Sequence, residues 1–216
     1  MLLSVGVLFL MLTHRPSVYQ PTAPHDDGRV SPYLTHKLAP DMYNNIQIDK
    51  PFCVIVEQDG LNDIIVNDTS LGWEWPVQLD GVTISAPYIA FLPDEIFLMG
   101  TVNLGKLPLV VTIKLAPKLD EQGMLQANLT SVKVGAVNIT KLAKTVISKV
   151  ITAQLEGIEK CDFNAWLFEL NDALLENKPM KPVFPVYEKY IRLTNSKIQN
   201  RKLTLVFEPY YPEKQD

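Results

Sequence analysis

The chain has 216 residues, of which 47% are apolar and 20% charged, so it has room for one ordinary domain with an appendage and is not a disordered polymer. Its formal net charge is −4, which leaves no basic excess to neutralise phosphates and disfavours nucleic acid as a partner. Two cysteines, Cys53 and Cys161, cannot build a disulfide framework or a four-ligand zinc site, and the 3 histidines (His14, His25, His36) all precede the main body, which excludes a His-based triad or metal centre there.

The first segment, Met1–Leu12 (MLLSVGVLFLML), is almost wholly apolar and uncharged. As a helix it would reach about 18 Å, against the roughly 20 residues a bilayer core requires. It has no basic n-region and no small-x-small cleavage site after it. It reads as a membrane anchor or truncated anchor, ahead of a weak signal segment or a buried element of the domain. Residues 13–45 hold Pro16, Pro21, Pro24, Pro32 and Pro40, and read as an extended tether, with its histidines solvated.

Residues 46–212 read as a single extracytoplasmic α+β domain. Pro51–Val56 is a short strand run. Leu61, Ile64 and Ile65 fall at helical spacing behind it, with Asp59 or Gly60 as cap. Four strands follow. Val82, Ile84 and Ala86 alternate with polar residues. Glu95–Leu104 is nearly continuous apolar, with Gly100 marking a bulge. Leu107, Leu109, Val111, Ile113 and Leu115 repeat at period two. In Met124–Val134 the apolar face changes between Leu129 and Val132, which a bulge near Thr130-Ser131 reconciles. Short connections make the sheet an antiparallel meander. Helices are expected over residues 139–155, capped by Asn138, and 162–176, capped by Asp162. Val186–Thr194 and Arg201–Glu208 close the chain as a β-hairpin. The fold class is therefore α+β: a curved antiparallel meander sheet packed against two or three helices, with a C-terminal β-hairpin.

The chain carries no nucleophile elbow, phosphate-binding loop or dinucleotide fingerprint. Cys53 and Cys161 each sit beside apolar or aromatic neighbours, which reads as buried inert thiols, with a disulfide between them as the alternative. Glu57, Asp59 and Asp63 match no calcium loop and read as a solvated helix start. No catalytic residue, cofactor or metal is expected, and the protein is not expected to be an enzyme.

The order of anchor, tether, an LN helix (Leu61-Asn62), GVTISAPYIAFLPDEIFLMGTVNLG at 81–105, VKVGAVNIT at 132–140 and IRLTNSKIQNRKLTLVFEP at 191–209 resembles bacterial envelope proteins of the AsmA/LmeA/YpmS type. The resemblance implies a membrane-anchored domain whose curved sheet wraps helices in the manner of tubular lipid-binding (TULIP-like) folds, in the cell envelope or periplasm. It implies lipid binding or lipid handling as the role.

The residues add a candidate site. In Glu95–Leu104, Ile96, Leu98 and Val102 occupy one face and Phe97 and Met99 the other. A lipid or other apolar ligand held between sheet and helix 139–155 would meet Phe97, Met99, Val146, Ile147, Val150 and Ile151. The alternative is a plain two-layer core. The polar face of that helix carries Lys141, Lys144 and Lys149 and no acid, which suits an anionic membrane surface unless the acids of helix 162–176 neutralise it. The competing function is a non-catalytic envelope adaptor, binding protein partners through a sheet edge or the Trp73-Glu-Trp75-Pro76 loop.

Overall fold

A computed structural model describes residues 2–24, 30–67, 75–79, 82–143, 169, 173–174, 176–186 and 188–212. The order of elements is helix α1 (Leu2–Leu12), a π turn (Leu34–Leu38) running into α2 (Ala39–Ile46), strand β1 (Phe52–Glu57) and helix α3 (Gln58–Asn67). Strands β2 (Val77–Leu79), β3 (Val82–Ile84), β4 (Tyr88–Leu92), β5 (Glu95–Leu104) and β6 (Leu107–Leu115) follow. Then come β7 (Lys118–Leu119), β8 (Leu125–Gln126), β9 (Leu129–Val134) and β10 (Val137–Asn138). The chain ends in β11 (Val183–Val186), β12 (Lys189–Gln199) and β13 (Lys202–Tyr210). The class is α+β, with every strand pair antiparallel and the β12–β13 hairpin at the C-terminal end.

The strands form two main sheets rather than one meander. The larger has the order β10-β9-β6-β5-β3-β2, with β4 also pairing β5, and β7 and β8 form a separate pair. The smaller, β1-β13-β12-β11, joins the first strand of the main body to the last, Phe52 opposite Phe207. Alternation in β1 turns Phe52, Val54 and Val56 inward onto Ile191, Leu193, Ile198 and Phe207. That same alternation places Cys53 outward: it is exposed and free, not the buried thiol its apolar sequence neighbours imply. Those neighbours lie on the opposite face of the strand. Cys161 lies outside the described residues.

Two bulges set the inward faces. In β9, Ser131 pairs Lys114 but Leu129 pairs Leu115, so Thr130 is the extra residue, and its hydroxyl donates to Lys114 O at 3.0 Å. In β12 the register shifts between Leu193 and Asn195, which lets Ile191 and Ile198 share one face despite odd spacing. Gly100, by contrast, pairs Val111 in regular register and makes no bulge. The Ala86 end of the expected 82–86 strand lies beyond β3, which stops at Ile84.

The region expected as an extended tether is built into the fold. Residues 32–46 are helical. At the π turn the Ala39 N–H donates to Leu34 O, five residues back. Next to it, Pro40 has no N–H to offer and its ring conflicts with an ordinary α ladder; the wider turn accommodates it. Ile46 enters the core, and the Lys189 ammonium donates to its carbonyl at 3.1 Å. Ser31 is fully buried and its hydroxyl donates to the Asp63 carboxylate. Glu57 pairs Lys37 at 2.7 Å and Asp59 pairs Arg201; both acids stay exposed to solvent, as expected of the helix start, and each has a partner there. The helix begins at Gln58, which puts Asp59 and Gly60 inside its first turn and not at its cap.

Side-chain amides of α3 join the two sheets. Asn62 Nδ2 donates to Ile89 O at 2.8 Å, and Asn62 Oδ1 accepts the Ile89 N–H at 2.7 Å. Gln58 Oε1 accepts the Phe91 N–H at 2.9 Å, and the Arg201 N–H donates to Phe91 O at 3.0 Å. The far edge of β4 is thus satisfied without another strand. Gln58 Nε2 also donates to the Tyr88 hydroxyl at 2.9 Å, and burial pushes that phenol up from its ordinary pKa. On β1, the Tyr33 hydroxyl accepts the Glu57 N–H at 2.8 Å and donates to Ile55 O at 3.2 Å, the two groups a neighbouring strand would take.

Candidate functional site

In β5 and β6 the period-two pattern makes two faces of different character. Val111, Ile113 and Leu115 pack with Val132, Leu129, Ile139 and Ala143, so the start of helix 139–155 covers this face. Asn138 Oδ1 accepts the Thr140 N–H at 3.0 Å there, in the capping role expected of it. Phe97, Met99, Thr112, Lys114, Ser131 and Lys133 lie on the other face, in two cross-strand rows: Phe97–Lys114–Ser131 and Met99–Thr112–Lys133.

The structure separates the two residues expected to share a ligand wall. Met99 is 1% exposed and packs with Tyr19, Tyr88, Ala90 and Val110. Tyr19 comes from the segment after α1. Its ring meets Tyr88 edge-on at 6.0 Å, and its hydroxyl lies 3.0 Å from Thr101 Oγ1. Met99 is therefore core, covered by protein. Phe97 is only half-buried and lines an open groove of about 320 Å³ with Pro16, Val18, Thr112, Lys114 and Lys133.

The groove is apolar at Phe97, Pro16 and Val18 and cationic around them. The Lys114 ammonium lies 5.6 Å from the Phe97 ring centre and pairs Glu95 at 2.6 Å. His14 also lines the groove, and the Arg15 guanidinium lies 5.1 Å from the Tyr19 ring centre nearby. Lys133 is exposed and, among the described residues, enters no ion pair. Thr112 is 6% exposed, and its buried Oγ1 has no hydrogen-bond partner among the described residues. A neutral hydroxyl left so costs about 1–3 kcal/mol.

Helix α1 ends on the rim of this groove. The Ala136 N–H, in the β9–β10 turn, donates to Met11 O at 2.7 Å. Gly135 precedes it at φ +56°, and a Cβ there would run into the Met11 and Leu12 carbonyls. Past this contact the helix is bare: Leu8 is 51% and Leu10 is 70% exposed. Gly135→Ala adds the left-handed backbone cost, about 1–2 kcal/mol, to that steric conflict. Its expected result is release of α1, seen as faster amide exchange and proteolysis over residues 2–16, with the β5–β6–β9 amides unchanged.

The other expected site residues fall elsewhere. Val146, Ile147, Val150, Ile151, Lys144, Lys149 and Trp73 lie outside the described residues. Lys141 is described and exposed, while Ala143, two residues on, packs on Val132. That contact is on the sheet face opposite Phe97, so the start of the helix and Phe97 do not enclose a common space. Trp75 is half-buried on the loop before β2. Thr112, Lys133 and His14 were missed. For Thr112 and Lys133 the signal was the pair of polar residues in β6, Thr112 and Lys114, that interleave with its apolar set, and the cation at the matching place in β9. Among the described residues no group of three or more His, Cys, Asp or Glu side chains could hold a metal, and no helix is long and apolar enough to cross a membrane. No protein-family model and no curated protein matches the chain.

Proposed function

We propose that this is a membrane-tethered domain of the cell envelope that binds a lipid, through the Phe97 groove rather than between sheet and helix. The proposed role is binding, not catalysis. The observation that carries it is α1: an uncharged helix, exposed from Ser4 to Met11, whose Met11 carbonyl is seated on the rim of a half-apolar groove. Exposed side chains of this kind on a monomeric surface mark a membrane or a partner. The 11 residues of α1 cover about 16 Å, enough to enter one leaflet. The resemblance to envelope proteins of the AsmA/LmeA/YpmS type agrees with this reading and with an extracytoplasmic location.

Flotation on a density gradient tests it. The full chain is expected to rise with phosphatidylcholine vesicles and to yield lipid on solvent extraction. Leu8→Asp with Leu10→Asp is expected to weaken vesicle binding at least tenfold, since a charge placed in the hydrocarbon costs about 2.5–3.5 kcal/mol. Both side chains are exposed, so the fold should be unaffected. A chain that stays with the dense fraction and yields no lipid overturns the reading.

A further inference from the structure

We infer that the groove is a head-group site: it takes the phosphate of an anionic membrane lipid from the leaflet that α1 enters, with the acyl chains remaining in that leaflet. This rests on the membrane reading above and assigns it a ligand class. Four features lead to it. First, the basic side chains and the apolar helix meet at one place. His14 follows α1 by two residues, and Lys133 lies two residues before the Gly135 turn that receives the Met11 carbonyl. A helix lying in a leaflet therefore holds the groove at head-group depth.

Second, the charge is one-sided. His14, Lys114 and Lys133 line the groove, Arg15 stands next to His14 in the chain, and Glu95, paired to Lys114, is the acid beside them. The chain as a whole is acidic, at −4, so this concentration of basic side chains runs against its composition. Third, Thr112 lines the groove, and its Oγ1 is buried beneath it without a partner among the described residues. Ser131, in the adjoining row, also lines the groove. A phosphate would offer acceptor oxygens to both hydroxyls. Lys133 is the cross-strand neighbour of Thr112, so one anion could engage both residues. Fourth, the Phe97 ring and Val18 give the glycerol and first methylenes an apolar wall, which a free inorganic ion would not use.

The test compares three ligands and three proteins by flotation and tryptophan fluorescence at moderate salt. The ligands are phosphatidylcholine vesicles, phosphatidylcholine vesicles containing phosphatidylglycerol, and inorganic phosphate as competitor. Wild type is expected to bind the anionic vesicles about tenfold more tightly than the neutral ones, the worth of one to two cations near such a surface. Lys133→Gln is expected to lose about fivefold of that preference, the worth of one lysine. Thr112→Val is the sharper variant. It keeps the shape and removes the orphan hydroxyl, so thermal stability should hold or rise. If the hydroxyl serves only as a packing defect, the lipid preference stays at its wild-type value; the inference requires it to fall several-fold. Millimolar inorganic phosphate should compete weakly at most.

The outcomes separate cleanly. No binding to either vesicle overturns the membrane reading itself. Equal binding to both vesicles leaves that reading standing and overturns the head-group site. A preference that survives both substitutions also overturns it, because general surface charge would then be the source. Full competition by inorganic phosphate shows an anion site that takes the free ion, and overturns the lipid assignment.

Discussion

Replacing Asn62 by Leu is expected to destabilise the protein by about 3–5 kcal/mol. Asn62 is 1% exposed, and its amide serves both polar groups of Ile89 as well as the Gln58 carbonyl, at 2.7–2.8 Å. Leucine fills a similar volume, so no cavity arises and the effect isolates the hydrogen bonds. It leaves the Ile89 N–H and carbonyl without their partners in a part-buried site, at about 1–3 kcal/mol for each group. Urea unfolding should show a lower midpoint with an unchanged slope. A loss below about 1 kcal/mol would mean that water reaches the β4 edge and replaces the amide. Because Asn62 and Gln58 dock α3 on β4, while Gln58 and Phe91 also bond Arg201 of the β12–β13 turn, the loss should appear as global unfolding and not as local fraying of α3.

Gly60→Ala is expected to cost about 2 kcal/mol, against the gain of up to about 1 kcal/mol that this exchange gives in an open helix. The sign is reversed by one neighbour. A Cβ on Gly60 would enter the Tyr33 ring, which lies flat against the helix at this point. The ring is held at both ends, by its backbone in helix 32–46 and by its hydroxyl on Glu57 and Ile55, so it cannot swing aside without losing those bonds. Thermal unfolding and exchange at the Glu57 amide measure the two parts together. The double variant Gly60→Ala, Tyr33→Ala should recover most of the helix-propensity gain relative to Tyr33→Ala alone. Equal stability of Gly60→Ala and wild type would show that the ring moves freely.

Strands whose pattern is local were legible in the sequence, and pairings made across the chain were not. Strand β5 was read at the bounds it has, and the Thr130 bulge followed from the change of face between Leu129 and Val132. The same change occurs in β12 between Leu193 and Ile198 and was there to be read. The pairing of Phe52 with Phe207 leaves no local trace, since it depends on closure over most of the chain. Prolines misled the reading of residues 13–45. Pro32 opens a helix, where a missing N–H is harmless, and Pro40 follows a π turn that makes room for it. At the site, Phe97 and Met99 are two residues apart on one face and have the same chemistry, yet only Phe97 reaches the groove. The difference is Tyr19, a distant residue whose hydroxyl finds Thr101 and whose ring lies over Met99.

The Tyr33 hydroxyl on β1 has a consequence for how this protein behaves in a crowded compartment. An outermost strand with free peptide groups is a template on which a second chain can polymerise, and most proteins defend it with a lysine, a proline or a twist. Here Phe52, Cys53, Val54, Ile55 and Val56 run as five apolar or thiol residues, a sequence prone to amyloid-like stacking if its edge is open. The phenol occupies the Ile55 carbonyl within that run and the Glu57 N–H just past its end. Part of the protection of this strand therefore comes from a segment that precedes the main body, and removal of the Tyr33 hydroxyl would leave the Ile55 carbonyl and the Glu57 N–H open to a second chain.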